Sequence, residues 1–536
     1  MHLHVSPSEL LIGMLVVLAA VALLAEKIKI AYPILLVLAG CAMGIVPAFH
    51  PTLRIQVNPE TVFFVFLPPL LYYGALLTTW RDFKANINQI SSLAVGLVLA
   101  TMVVVAVIAM AVIPGMSWPA AFLLGAIVSP PDAVAATAVL SKLKVPKRVV
   151  TILEGESLVN DATALVAYKT ALGAIVAGSF SLAQASGGIF VAAVGGIAIG
   201  LIAAWLIAKL MSIVEVPAVE SVLALLVPFA AFIPADKLGA SGVLAAVAAG
   251  VYMGRKLPSL GSPQQRIRTL AVWDSLVFLL NGIIFILIGL ELYFVVQSGQ
   301  RAMSLHSLLL GAACVAAGCI LVRIFWVFPA VYLPRLIPTV RKTPVPPWQE
   351  VTIVSWAGMR GIVTLAAALA IPIEVPQRDV ILFISFFVIL ATLVGQGLTF
   401  APLIKILRLQ LNDDLEHREE IQARLDAAHA AVSRLTVISF DESINPDLIN
   451  RVRAQYDERI TRLGGTPQEE LGVANTSPDE ALRTIQLEAL RAERRMITFM
   501  RDQNILGDEV LRKILHEFDL EEAKIRTSES SALPRS

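Results

Sequence analysis

Charge is what this 536-residue chain lacks: 15% of its residues are Asp, Glu, Lys or Arg, against about 25% in a soluble globular domain. Its 42 basic and 41 acidic side chains leave a net charge of +1, so nothing argues for a nucleic-acid partner. Cysteine is scarce too. Cys41, Cys314 and Cys319 lie in apolar runs without metal-ligand spacing and read as small hydrophobic fillers. The histidines near the C-terminus (His417, His429 and His516) also lack ligand spacing, so they read as ordinary surface residues and no cofactor is expected. What the chain has instead is apolar mass: 57% hydrophobic residues and a mean hydropathy of +0.76.

That mass is organised into runs long enough to cross a bilayer, which takes roughly 20 apolar residues per helix. Thirteen are expected, at about 9–25, 31–49, 60–79, 90–114, 118–140, 149–176, 184–211, 218–234, 241–254, 270–297, 305–332, 351–372 and 380–404. The first ends in Glu26-Lys27-Ile28-Lys29 rather than at a small-residue cleavage site, which favours a membrane span over a signal peptide. One alternate set of loops carries sixteen Lys and Arg between Lys27 and Lys342. The other carries Arg54, Lys237, Arg301 and Arg378 only. Such a bias places the N-terminus outside, the C-terminus in the cytoplasm, and the chain in the inner (plasma) membrane. The expected fold is therefore all-α and polytopic over residues 1–406. Residues 407–536, rich in Glu, Arg, Asp and Ala at helical spacing, are expected to form a soluble helical tail with a disordered tip at Ser528–Ser536.

A charge at mid-bilayer costs at least ~2.5–3.5 kcal/mol, so each one needs a reason. In the fifth run, Ser129-Pro130-Pro131-Asp132 must break the helix, since two prolines remove two donors and clash with the preceding turn. The freed carbonyls and the Asp132 carboxylate suit a hard cation. The alternative is a simple proline kink with Asp132 at a water interface. In the sixth run Glu154, Ser157 and Asp161 fall on one helical stripe, while Glu156 and Asn160 share another face. Asp161 and Ser157 suit a titrating ligand in a cavity, with Glu154 toward a wet entrance. Glu156 suits a permanent ionic partner. The twelfth run supplies a cation in Gly358-Met359-Arg360-Gly361, so a Glu156–Arg360 pair is expected, the alternative being Arg360 snorkelling to the interface. Arg323 reads as snorkelling, and Lys169 has no evident partner. If runs one to six and eight to thirteen are inverted repeats, the two interrupted runs are counterparts, which points to a midplane binding site.

These motifs resemble the cation/proton antiporter family that includes the sodium/hydrogen exchangers, in its bacterial electroneutral branch. The likeness is carried by Gly155-Glu156-Ser157-Leu158-Val159-Asn160-Asp161, Phe66-Leu67-Pro68-Pro69-Leu70-Leu71-Tyr72, Ser129–Ala135, Gly358–Gly361 and Phe278–Gly282, in order along the membrane domain. It implies two inverted repeats with broken crossing helices, a homodimer, and alternating access exchanging a monovalent cation (Na⁺, with Li⁺ or K⁺ as options) for H⁺. Asp161 would bind either ion, completed by Asp132, Ser157 and Asn160. Two positions depart from the pattern: Pro131 stands where relatives often have Thr, and Tyr73 where some have an acid. Asn160 occupies the first of two positions that are both acidic in electrogenic relatives, and it cannot titrate; one cation per proton is therefore expected. A cation channel and an intramembrane aspartyl protease are the rival classes. The first needs no site shared by two ions, and no known protease pattern surrounds Asp132 and Asp161.

Overall fold

The computed structural model describes residues 7–28, 30–45, 59–78, 80–140, 145–177, 182–214, 216–256, 263–333, 345–408, 413–440, 445–464, 479–503 and 505–527; the expected tip at Ser528–Ser536 lies outside them. The described residues are helical, without strands. Every apolar run is occupied by helix. The first seven are α1 (Pro7–Ile28), α2 (Tyr32–Ile45), α3 (Pro59–Leu77), α4 (Ile87–Val112), α5 in two halves (Trp118–Val128 and Ala133–Leu140), α6 (Lys147–Ala177) and α7 (Leu182–Met211). The next six are α8 (Pro217–Lys237), α9 (Gly242–Lys256), α10 (Pro263–Ala302), α11 (Leu305–Tyr332), α12 in two halves (Trp348–Trp356 and Ile362–Leu369) and α13 (Arg378–Leu407). Eight helices among the described residues are long and apolar enough to cross a membrane; α6, burdened with Glu154, Glu156, Asp161 and Lys169, is not one of them.

The helices sort into two bundles. In the first, α2 lies along α10, α3 along α9, and α7 packs on α8 and α9. In the second, α4 packs on α5 and α11, α6 on α5, and α11 on α12 and α13. With α1, which packs on α2 and α10, in the first, each bundle draws three helices from α1–α6 and three from α8–α13, the distribution that inverted repeats produce. Backbone contact holds the first bundle. A Cβ on Gly40 would meet the Ile286 carbonyl oxygen at 2.2 Å, and one on Gly289 would meet that of Val37 at 2.2 Å, so only glycine permits this approach of α2 to α10.

Helix ends follow local chemistry. Ser117 and Ser304 cap α5 and α11, their hydroxyls accepting from the amides of Ala120 and Ser307. A π-helical turn at Ser92–Leu97 widens α4, and the Trp326 indole donates to the Ser92 carbonyl at 3.2 Å. A matching π turn interrupts α13 at Ala391–Gln396.

Beyond the membrane helices come α14 (Asp413–Ile438), α15 (Pro446–Arg462), α16 (Asp479–Asp502) and α17 (Asp508–Thr527). They bury their own apolar cores, one centred on Val432, Leu435 and Ile460, the other on Ile497, Leu511 and Ile514. The tail is docked on the first bundle. Arg266, at the start of α10, donates from Nε to Asp519 of α17 at 2.9 Å with both groups buried, and Arg512 donates to the Leu77 carbonyl at the end of α3.

Candidate cation site

The two broken helices cross at their breaks. Backbone continuity is lost at Ser129–Asp132 and at Ala357–Gly361, and the chains touch there: the Asp132 amide donates to the Met359 carbonyl at 2.7 Å. Prolines make the first break. The second has none, and glycine stands where a side chain would collide. A Cβ on Gly361 would lie 1.8 Å from Asp132 Oδ2, and one on Gly358 would lie 2.7 Å from the Arg323 side chain.

Four half-helix ends meet at this crossing, and one side chain of each sign finishes them. Asp132 accepts from the Val134 amide at 2.8 Å through Oδ1 and from the Ile362 amide at 3.2 Å through Oδ2. It thereby caps the N-termini of both second halves, where the helix dipoles are positive. Arg360 does the converse, donating to the Val128 carbonyl at 3.1 Å, at the C-terminal end of the first half of α5, and to that of Gly358, just past the first half of α12. Its amide donates to the Thr392 hydroxyl at 3.1 Å. Each buried charge is matched by backbone groups that the break itself released, as an apolar surrounding demands.

This arrangement corrects one expectation. Glu156 is paired with Arg323, not Arg360: Arg323 donates to its two oxygens at 2.6 and 2.7 Å, and to the Val354 carbonyl at 3.0 Å, with both side chains 1% exposed. Arg360 is occupied by carbonyls, and Arg323 does not snorkel. A bidentate guanidinium–carboxylate fork satisfies both charges in one plane.

Asp161 is the exception. It is buried, yet its carboxylate accepts no hydrogen bond among the described residues, and it borders a cavity of about 160 Å³. Glu154, Ser157 and Asp161 all line this cavity, as their common stripe requires, together with Pro130, Pro131, Asp132 and Thr364. Ser157 accepts from the Ala133 amide at 3.3 Å, and Asn160 donates to the Pro131 carbonyl at 3.3 Å, leaving its own amide oxygen buried without a donor. Ser129 is turned inward instead, its hydroxyl bonded to Ala126 at 3.1 Å. Thr364 escaped the sequence reading. Its buried hydroxyl is unpartnered at the cavity wall, and nothing in its local sequence sets it apart from an ordinary helix threonine. The cavity extends along α3 past Gly74 to Leu77, the residue that the tail's Arg512 grips, so it leads toward the tail's face. Tyr73, the other departure, donates to Asp274 outside the cavity. Among the described residues no cluster of three or more His, Cys, Asp or Glu is placed to hold a metal.

Comparison with known proteins agrees with this geometry. Residues 13–406 match the family described as sodium/hydrogen exchanger, transmembrane. A Mycobacterium tuberculosis protein named as an uncharacterized Na⁺/H⁺ exchanger is 32% identical, with 96% of this chain and 97% of that protein aligned. A low-affinity Na⁺/H⁺ antiporter of Synechocystis is 31% identical over 81% of this chain and 80% of its own. The solved sodium/proton antiporter of Methanocaldococcus jannaschii superposes with a TM-score of 0.56 at 23% identity, covering 72% of this chain and 97% of that one, which supports the fold. With nearly three-quarters of its length matched, and its broken helices crossing at Asp132, the chain belongs to the sodium/hydrogen exchanger family of membrane transporters.

Proposed function

We propose that this protein exchanges a monovalent cation, Na⁺ foremost, for H⁺ across the plasma membrane by alternating access, with its tail in the cytoplasm. The observation that carries the reading is the contrast between two carboxylates on one cavity. Asp132 is saturated by two amides, whereas Asp161 has none and faces open space. A proton or a cation finishes Asp161, and the two cannot do so together. That competition couples the fluxes. A cation arriving along the tail-side cavity meets the Asp161 carboxylate, with Asp132 and the Ser157 hydroxyl beside it and the Asn160 amide oxygen behind. Oxygens of this kind replace a hydration shell.

Charge counting supports one cation per proton. Glu156 is tied to Arg323, Asp132 to the helix ends, and Asn160 carries no charge, so Asp161 alone changes occupant. The loaded site then has the same charge with either ion, and membrane potential does no net work. Proteoliposomes test both claims: a sodium pulse should move protons, with a reversal point set by the two gradients and unmoved by a potassium–valinomycin clamp. A reversal point that shifts with voltage would mean a second titrating group. A homodimer through the first bundle is part of the same proposal, and native mass spectrometry finding only monomer would count against it.

A further inference from the structure

Two hollows flank Asp161 along α6. The cavity of the cation site lies on the tail side. On the far side is a second pocket of about 280 Å³, bordered by Leu165 and Lys169 of α6, Phe232 and Asp236 of α8, and Ser241 and Val243 at the start of α9. Leu165 follows Asp161 by four residues, about one helical turn or 5.4 Å. An apolar septum one turn thick, made by Leu165, Phe232 and Val243, therefore separates the cation site from the far pocket. Phe232 is held from behind by Phe64, whose ring packs against it edge-on at 5.6 Å.

Across the mouth of this pocket Lys169 Nζ lies 3.4 Å from Asp236 Oδ1, the side chains 59% and 40% exposed. Lys169 belongs to the second bundle and Asp236 to the first, so this pair bridges the seam along which the bundles must part. Glu156–Arg323, by contrast, joins two helices of one bundle. We infer that the Lys169–Asp236 pair is the latch of the closed outer gate, and that it separates when the Leu165–Phe232–Val243 septum opens to expose Asp161 to the outside. The inference rests on the alternating-access reading.

The pair's weakness fits the role. An exposed pair contributes about 0.2–1 kcal/mol, so it biases two states by about fivefold at most. A buried lock of several kcal/mol would hold the outer side shut through the whole cycle. Lys169 and Asp236 bias the resting state toward the tail side without trapping it there.

The decisive experiment uses the full chain with Cys41, Cys314 and Cys319 replaced. Lys169→Cys with Asp236→Cys, joined by a short reducible cross-linker, should lose at least tenfold in sodium-driven proton movement and recover on reduction. Exchange at the reduced rate while cross-linked would overturn the latch. A second measurement needs no transport. In a Leu165→Cys reporter, Lys169→Asp or Asp236→Lys alone should raise labelling by an impermeant thiol reagent from outside by up to about fivefold, and the charge-swapped pair should return it to the starting value. Equal labelling in all four proteins would overturn it too. Should the parent protein move no protons at all, the antiport reading fails instead, and the labelling series still reports on the latch.

Discussion

The membrane core and the tail both bury carboxylates and both bring arginines to them, yet they finish those charges differently. In the core, partners are single and fixed: two amides for Asp132, two half-helix carbonyls for Arg360, one guanidinium fork for Glu156. In the tail they are plural and shared. Asp519 is shared by Arg266 and Arg494, and Arg494 also reaches Glu522 at 3.1 Å. Where water is absent, each ionic contact must be complete within the fold; where water is near, a network tolerates loss of a member. Beside Asp132, Glu156 and Arg360, whose charges are finished, the carboxylate of Asp161 on the cavity is left unfinished among the described residues.

The contrast sets the expected size of each perturbation. Asp161→Ala should abolish sodium-driven proton movement while the protein remains inserted, as proteoliposome pH records would show; appreciable exchange by this variant removes the mechanism. Glu156→Gln or Arg323→Ala strands one buried charge and should destabilise the core by about 3–5 kcal/mol, read as a lower melting temperature in detergent. A double-mutant cycle should show strong coupling between these two residues and much less between Glu156 and Arg360. In the tail, Asp519→Ala should cost less, about 1.5–3 kcal/mol, and appear as faster proteolysis of residues 413–527 with exchange retained.

An effect of similar size is expected at Glu493, and it depends on pH. This tail carboxyl is fully buried; the Tyr456 hydroxyl donates to it at 2.9 Å, Arg459 lies 3.3 Å away, and Glu521 and Arg424 act from farther off. Burial pushes its pKa up from 4.5 to about 7 despite Arg459. The folded tail therefore keeps a proton that the unfolded chain gives up. Its contribution to stability is full below about pH 4.5 and lost as pH rises to about 7. Hydrogen-exchange protection of α14–α17, corrected for intrinsic rates, should fall by about 2 kcal/mol between pH 5 and 7. Glu493→Gln should flatten that slope.

Much of this was legible in the sequence, for identifiable reasons. The apolar runs mark where the helices fall, and eight helices among the described residues have the length and apolarity to cross a membrane. The prolines of the first break and the glycines of the second mark both interruptions. The stripe of Glu154, Ser157 and Asp161 follows from 100° per residue. Periodicity assigns Glu156 to the opposite face but cannot choose between two arginines on different helices. Arg323 reads as snorkelling because it lies near one end of α11, and only packing shows that end to be level with Glu156. The Arg266–Asp519 bridge joins residues 253 apart in sequence, and the Lys169–Asp236 pair residues 67 apart. No local pattern encodes either.

The glycine contact between α2 and α10 has a mechanical consequence. Where backbone rests on backbone there are no rotamers to rearrange, so the joint has little compliance and behaves as a stiff beam. Between α3 and α6 the leucines of α3 face Glu154, Ser157, Leu158 and Asp161 across a hollow, a bearing with clearance. Strain applied to the molecule is then concentrated at the second joint, and a carrier assembled this way rocks where its side chains leave room.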